Sequence, residues 1–506
     1  MLRSILFLHR WLGIVVGLVM TIWCLSGFVM MYSPYPSLTS QEQLRGLAPL
    51  QLPPAQALQR AGPLPDTAIS AARVEMAAGR PILRVTPSGP PQPPIAQMRA
   101  TPSNIDLATG RPLETDTPGR AMAVAASFAQ QFGISGSPRS AELVEKDQWV
   151  VQTSARHQPL HRVDFPEGET LYVAGTGEVV QQTTRAERIL GWLGAVPHWL
   201  YPTVLRQNGP LWSQVVIWTS TVGIFLTVTG LWVGIARLKR NREGRIGSPF
   251  RGIWWWHHMS GLFFGLLTLT WVTSGLFTMN PWGFLDSMAG LEERERLVGE
   301  PVRWGEVSQA LAQLDTLPEG TVRLEAAPLG GQLYLTAIRV DGSQTRLDPA
   351  GRPAPLSRGE LVRALANGPP VASLELLRGE DSYYYSHKSP LTLPVWRAVL
   401  DDAEQTRLYI DPVSGRLLRA FDSNARASRW LRNGLHSLDF AFLRHRPVWD
   451  LVVVPLLALV TFLCGTGTWM GVQKLRRDAR RNRNRKRRRK AEAIRDPVEA
   501  AEATQA

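Results

Sequence analysis

Two stretches of the chain, starting at His9 and His257, repeat a histidine followed by glycines at four-residue spacing. The first reads His9-Arg-Trp-Leu-Gly13-Ile-Val-Val-Gly17 and continues to Trp23 and Ser26-Gly27. The second reads His257-His-Met-Ser-Gly261-Leu-Phe-Phe-Gly265 and continues to Trp271 and Ser274-Gly275. On a helix, positions i, i+4 and i+8 share one face, so each copy predicts an imidazole above a strip without side chains. A metal-ligating nitrogen over such a strip suits a flat, bulky, metal-centred cofactor, and haem is the candidate.

A second repeat carries two more histidines. Pro197-His198-Trp199 is followed by Arg206, Pro210 and Trp212, then by Thr229-Gly230-Leu-Trp232-Val-Gly234. Leu435-His436-Ser437 is followed by Arg444, Pro447 and Trp449, then by Thr466-Gly467-Thr-Trp469-Met-Gly471. Two-fold symmetry would place His9 opposite His257 at one membrane face and His198 opposite His436 at the other. That is the geometry of two bis-histidine b-type haems, and ionisable residues at membrane spans usually mark a function. His258 competes with His257, about 100° round the helix; the alignment with His9 favours His257. Arg10 and Arg251 are placed to neutralise the propionates of an inner haem, Arg206 and Arg444 those of an outer one. The plainer reading makes these histidines interfacial capping residues and the glycines a helix-packing device. Cytochrome b-like ferric reductases carry two histidines within one helix, spaced to ligate haems at both faces, and no span here holds two histidines so spaced. His157, His161, His387 and His445 lack partners in the other half and read as surface or structural. Of these, His387 is the one placed to contact a substrate.

The elements that must position these residues are membrane spans. Residues 11–34, 211–236, 252–279 and 451–472 contain no Asp, Glu, Lys or Arg, and each is long enough to cross about 30 Å of hydrocarbon. The expected organisation is a helix over 5–34, an external segment over 35–210, a helix over 211–236 and a short loop over 237–251. A helix over 252–279, a second external segment over 280–447, a helix over 448–473 and a basic tail over 474–506 complete it. The 237–251 loop carries six Lys/Arg and one Glu, and Lys474 to Lys490 carries twelve basic residues and one Asp. The positive-inside rule therefore puts both termini in the cytoplasm. The net charge of +14 resides mostly in the tail. This points to anionic lipid as the tail's partner and argues against nucleic-acid binding. Cys24 and Cys464 are the two cysteines; they form no CxxCH motif, which excludes c-type haem attachment, and read as packing residues.

The external segments repeat as well. Asn104-Ile-Asp106-Leu-Ala-Thr-Gly110-Arg-Pro parallels Arg346-Leu-Asp348-Pro-Ala-Gly351-Arg-Pro. Helix-like runs follow over Gly119–Phe132 and Arg358–Ala366, then strand-like runs over Trp149–Ser154, Thr170–Val173 and Thr406–Ile410. Turns at Ala174-Gly-Thr-Gly177 and Asp411-Pro-Val-Ser-Gly415 close the hairpins. Each segment thus reads as a small α+β module, and Pro87–Pro94 as an exposed loop. The fold class is an α-helical integral membrane protein with four transmembrane helices in two tandem-duplicated halves, plus two α+β external modules.

These residues resemble the PepSY-associated transmembrane family of bacterial inner-membrane proteins, often iron-regulated. The likeness rests on His9-Arg-x-x-Gly13, His257-x-x-x-Gly261, the turns at Asp106 and Asp411, and the histidines before spans two and four. It implies PepSY-like periplasmic modules and a haem-containing oxidoreductase that passes electrons across the inner membrane to a periplasmic ferric siderophore, releasing ferrous iron. His9, His198, His257 and His436 would then ligate two haems b. The chain has no GxGxxG motif and no nucleotide domain, so electrons would come from a separate cytoplasmic reductase or from membrane quinol. The competing expectations are a non-enzymatic binding module anchored in the membrane and an iron or siderophore transporter. With no acidic residue in any of the four charge-free stretches, the transporter ranks last.

Overall fold

The computed structural model describes residues 2–52, 54–60, 63, 65–88, 103–113, 117–152, 157–240, 244–386 and 391–502. Four helices are long and apolar enough to cross a membrane: Leu2–Tyr32, Gly209–Ala236, Ile253–Thr278 and the first part of Val448–Glu502. At 1.5 Å per residue, the shortest spans roughly 39 Å. They are called spans 1 to 4. Uniform apolarity rather than an amphipathic stripe makes them membrane helices. Val15, Leu18, Phe225, Phe263, Leu266 and Leu451 face outward and exposed, as lipid contacts require.

Span 1 packs against spans 2 and 4, and so does span 3, so spans 1 and 3 oppose each other across the bundle. At mid-depth Val16 and Met20 of span 1 meet Val272 of span 3, with Trp23 and Cys464 alongside. Span 2 starts cleanly: the Asn208 side chain accepts from Leu211 N, and Pro210 occupies the first turn, where a missing N–H costs nothing.

The external part differs from two separate modules. Its largest element is a seven-stranded antiparallel sheet assembled from both segments. The first segment gives β1 (Ile69–Ala77), β2 (Arg80–Pro87), β3 (Ser103–Asp106) and β4 (Arg111–Pro112). Next come β5 (Ser140–Leu143), β6 (Leu160–Asp164), β7 (Thr170–Ala174) and β8 (Val179–Thr183), and in the short loop β9 (Lys239–Arg240) and β10 (Ile246–Gly247). The second segment gives β11 (Thr321–Ala326), β12 (Leu335–Arg339), β13 (Gln344–Leu347), β14 (Val371–Leu377), β15 (Val395–Leu400), β16 (Arg407–Ile410) and β17 (Leu417–Phe421). The shared sheet runs β13-β12-β11-β1-β2-β3-β4, joined where β1 pairs with β11. Two four-stranded sheets, β5-β6-β7-β8 and β14-β15-β16-β17, belong to one segment each.

Alternation explains the shared sheet. Val74, Leu83, Val85, Leu324, Leu335, Ala337 and Leu347 fill its apolar face and pack with Trp304, Val307 and Leu311 of the Trp304–Ala312 helix. The opposite face is ionic. Glu75 is fully buried and accepts from Arg84 Nε at 2.7 Å and Arg323 Nε at 2.9 Å. Burial alone would raise the Glu75 pKa, but the surrounding Arg84, Arg73 and Arg323 guanidiniums hold it at about 2. Helices Pro118–Phe132 and Arg358–Leu365 cover the two smaller sheets. Thr117 caps the first of these, which stops at Gly133, whose φ of 91° continues the chain out of the helix.

Trp149 and Val150 lie in a turn rather than a strand, and residues 153–154 fall outside the described set. The Trp149 N–H bonds Asp147 Oδ1, and both side chains plug a core with Leu160 and Tyr172. Residues 89–94 of the proline-rich stretch and His387 also lie outside the described residues.

Candidate functional site

The bundle brings the four repeat-related histidines into two facing pairs. His9 and His257 have ring centres 6.5 Å apart, and His198 and His436 have theirs 6.2 Å apart. Two metal–imidazole bonds of about 2.0 Å, with the bonded nitrogen about 1.1 Å from each ring centre, would set such centres roughly 6.2 Å apart. Counted along span 1 from His9 to Trp23, the two pairs are separated by roughly 21 Å.

Each imidazole is held through Nδ1. His9 bonds the Leu226 carbonyl at 3.0 Å and Thr229 Oγ1 at 3.4 Å. His198 bonds the Trp23 carbonyl at 2.9 Å and Ser26 Oγ at 3.2 Å. His436 bonds the Trp271 carbonyl and Ser274 Oγ, both at 3.2 Å. A carbonyl only accepts, so these three carry their proton on Nδ1 and the lone pair on Nε2. His257 Nδ1 lies 3.1 Å from Thr466 Oγ1, whose own proton goes to the Leu463 carbonyl; His257 is therefore the donor as well. A metal-ligating histidine is oriented in this way by its second nitrogen.

Trp23, Ser26, Trp271, Ser274, Thr229 and Thr466 recur between the two parts of the sequence, where nothing gives them a role. Their recurrence was the available signal.

Glycine makes room for the rings. A Cβ on Gly230 would lie 2.7 Å from His9 Cε1, and one on Gly467 3.0 Å from His257 Cε1. At the other pair, a Cβ on Gly27 or Gly275 would stand 3.7 or 3.5 Å from the histidine Cε1, in ordinary contact. The His9–His257 pair opens on a cavity of about 640 Å³ lined by Gly13, Gly17, Gly261 and Gly265. Gly230, Gly234, Gly467 and Gly471 of the partner spans line it too. Its mouth is cationic: Arg3 and Arg10 of span 1 meet Lys474 and Arg477 beyond span 4.

Arg251 does not join them. It is exposed and absent from the cavity lining, because the chain turns at Gly252, φ 60°, before span 3 begins. His258 lines the same cavity but is held elsewhere. Its Nδ1 lies 2.8 Å from Ser248 Oγ and its Nε2 2.8 Å from the Gly234 carbonyl, so both nitrogens are engaged.

Eight residues on from His436, Arg444 is buried, stacks on Tyr385 and donates to Glu380 at 2.8 Å. Its Nε and Nη1 find no protein acceptor among the described residues. Arg206, stacked on Tyr201 and Trp212, likewise keeps an unpartnered buried Nε. Arg237, Arg346, Arg397, Arg407 and Arg429 also keep unmatched guanidinium nitrogens, so those of Arg206 and Arg444 are donors available to an acceptor rather than a mark of one. Among the described residues no cluster of three or more His, Cys, Asp or Glu forms a metal site. A pair of imidazoles is therefore suited to a metal whose remaining ligands come from elsewhere, as in a planar macrocycle. His161 is buried within β6 and takes no part in either pair.

A comparison with curated proteins finds no match to the chain. The sequence profile of the PepSY-associated TM region matches residues 6–354, which take in spans 1 to 3, the first external segment and part of the second. With well over half of its length matched, the chain belongs to the PepSY-associated TM region family.

Proposed function

We propose that this protein is a di-haem reductase of the bacterial inner membrane, built from two duplicated halves with PepSY-like external modules. It takes electrons on the cytoplasmic side, where both termini lie, and delivers them to a periplasmic ferric siderophore, releasing ferrous iron. The observation that carries this reading is the set of four imidazoles, paired at 6.5 and 6.2 Å, each donating from Nδ1. Unmatched buried donors on Arg206 and Arg444 suit propionates at the outer pair. The eight-glycine cavity and its four cations suit a flat, carboxylated ring at the inner one.

His9 with His257, and His198 with His436, would hold the haems, which would supply a one-electron carrier tuned by these ligands. The chain's residues do the rest. The Nδ1 acceptors fix the tautomer and make Nε2 a better ligand. Val16, Met20 and Val272 keep the space between the pairs apolar and dry. Arg10, with Arg3, Lys474 and Arg477, offers cations at the cytoplasmic mouth, and the basic tail beyond rests against anionic lipid. One-electron reduction of a hard, oxygen-ligated Fe³⁺ weakens the chelate and needs no proton-transfer residue in the protein. The donor is a separate reductase or quinol.

The test is a rapid-mixing experiment. Dithionite-reduced protein, freed of excess reductant, is mixed with a ferric hydroxamate siderophore in the presence of a ferrous chelator. The proposal expects reoxidation of the protein matched by ferrous complex, one iron per electron. A reduced protein that ignores the ferric siderophore would contradict the substrate assignment.

A further inference from the structure

The ionic face of the shared sheet carries two corresponding recesses, and only one is filled. In the β1–β11 ladder Arg73 pairs with Glu325, Val74 with Leu324 and Glu75 with Arg323. The ladder therefore exchanges Arg73 with Arg323 and Glu75 with Glu325. Their outer neighbours correspond as well: Arg84 beside Arg73, Ile338 beside Arg323. The turns after β7 and β16 also match. Ala174 N donates to the Glu178 carbonyl in one, and Asp411 N to the Arg416 carbonyl in the other, both at 2.9 Å.

On the first-segment side the turn supplies its own carboxylate. Glu178 pairs with Arg73, while the carbonyls of Thr176 and Gly177 accept from Arg84. With Phe128 packed in, a recess of only about 20 Å³ remains. On the second-segment side Arg416 stands where Glu178 would, and the recess opens to about 360 Å³. Thr336, only 2% exposed, and Arg84, 4% exposed, lie in its wall. Thr336 Oγ1, Gln344 Oε1 and Arg73 Nε, all at this recess, find no hydrogen-bond partner among the described residues. Four arginines line it: Arg73 and Arg84 are already paired with Glu178 and Glu75, Arg416 reaches Glu325 only at 3.4 Å, and Arg294 has no carboxylate partner among the described residues; Leu297, Val298 and Leu417 add an apolar wall.

We propose that this recess binds a small organic carboxylate, whose carboxyl group lies at the position that Glu178 holds in the corresponding recess and meets Arg294 and Arg416 there. Charge-assisted hydrogen bonds to arginine are the strong ones; the unpartnered Thr336 hydroxyl can donate to the carboxylate, while Gln344 Oε1 accepts only from a donor elsewhere on the ligand, such as an amide N–H. The apolar wall takes an aliphatic body. Both external segments contribute, so the ligand bridges them. The inference is independent of the haem reading.

Calorimetric titration of the full-length protein in detergent with N-acetylleucine, and with N-acetylleucinamide as its uncharged counterpart, is the test. We expect saturable one-to-one binding of the carboxylate and at least tenfold weaker binding of the amide. Thr336→Val should weaken binding at least threefold without lowering the melting temperature, since its hydroxyl has no protein partner to lose. Arg416→Glu should abolish binding by supplying the missing carboxylate internally. No saturable binding, equal binding of the two probes, or unchanged affinity in Arg416→Glu would each overturn the proposal.

Discussion

Inside the membrane the corresponding positions of the two halves agree closely; outside it they part. His198 meets the Trp23 carbonyl and Ser26 as His436 meets the Trp271 carbonyl and Ser274, with the serine hydroxyl at 3.2 Å in both. On the external sheet, by contrast, Glu75 is enclosed by three arginines, whereas its counterpart Glu325 is 21% exposed and makes only long ion pairs, at 3.4 Å or more. A repeated unit that must grip the same object twice is free to vary only where that object is absent. The proposed haem sites would constrain the membrane positions alike, and no such constraint acts on the external ones.

The largest expected effects break the membrane symmetry outright. His9→Ala and His257→Ala should each remove the inner haem and leave the outer, halving haem per chain, while His198→Ala and His436→Ala do the converse. Haem content by pyridine haemochrome checks this; normal content in any one variant contradicts that ligand.

Outside the membrane, corresponding substitutions should differ. Glu75→Gln leaves buried arginines unpaired and should cost about 3–5 kcal/mol, whereas Glu325→Gln should cost about 1 kcal/mol or less. Because the Glu75 pKa is depressed to about 2, its contribution is present above the unfolded carboxylate range near pH 4.5. It is lost as pH falls from there toward 2. Unfolding followed by far-ultraviolet circular dichroism against pH should therefore show this acid loss in the wild type and not in Glu75→Gln.

Glycine substitutions separate the inner pair from the outer. Gly230→Ala and Gly467→Ala place a methyl group 2.7 and 3.0 Å from an imidazole carbon and should weaken inner haem retention by about tenfold or more. Gly27→Ala and Gly275→Ala, at 3.7 and 3.5 Å, should leave the outer haem in place. Equal losses at both pairs would erase the distinction.

The smallest effects should be symmetric again. Ser26→Ala and Ser274→Ala leave each outer imidazole its carbonyl partner. A net change of about 0.5–1 kcal/mol corresponds to roughly 20–40 mV in a one-electron potential. Redox titration should show the same sign and similar size in both.

Much of the membrane part was legible because its signals are local. Charge-free runs set the spans, and the His-x-x-x-Gly period fixed a helix face. Repetition paired histidines that are far apart in sequence. The external sheet was less legible because β1 and β11 come from different segments. No local pattern announces a partner strand some 250 residues away, so each segment read as self-contained. Trp149 and Val150 read as a strand because their apolar character is real, but Asp147 turns the chain and buries them as a plug. Arg251 looked like a counterpart to Arg10 by its position before span 3, but the backbone at Gly252 carries it outward. The Nδ1 acceptors stood in the repeat as Trp23-x-x-Ser26 and Trp271-x-x-Ser274, but only packing shows which histidine each one holds.

The most direct test of the central claim is an absorption spectrum of the detergent-purified, haem-supplied protein, oxidised and dithionite-reduced, with haem counted per chain. Two b-type haems with low-spin bis-imidazole bands are the predicted result. A colourless protein would contradict it, leaving the facing histidine pairs without a redox role.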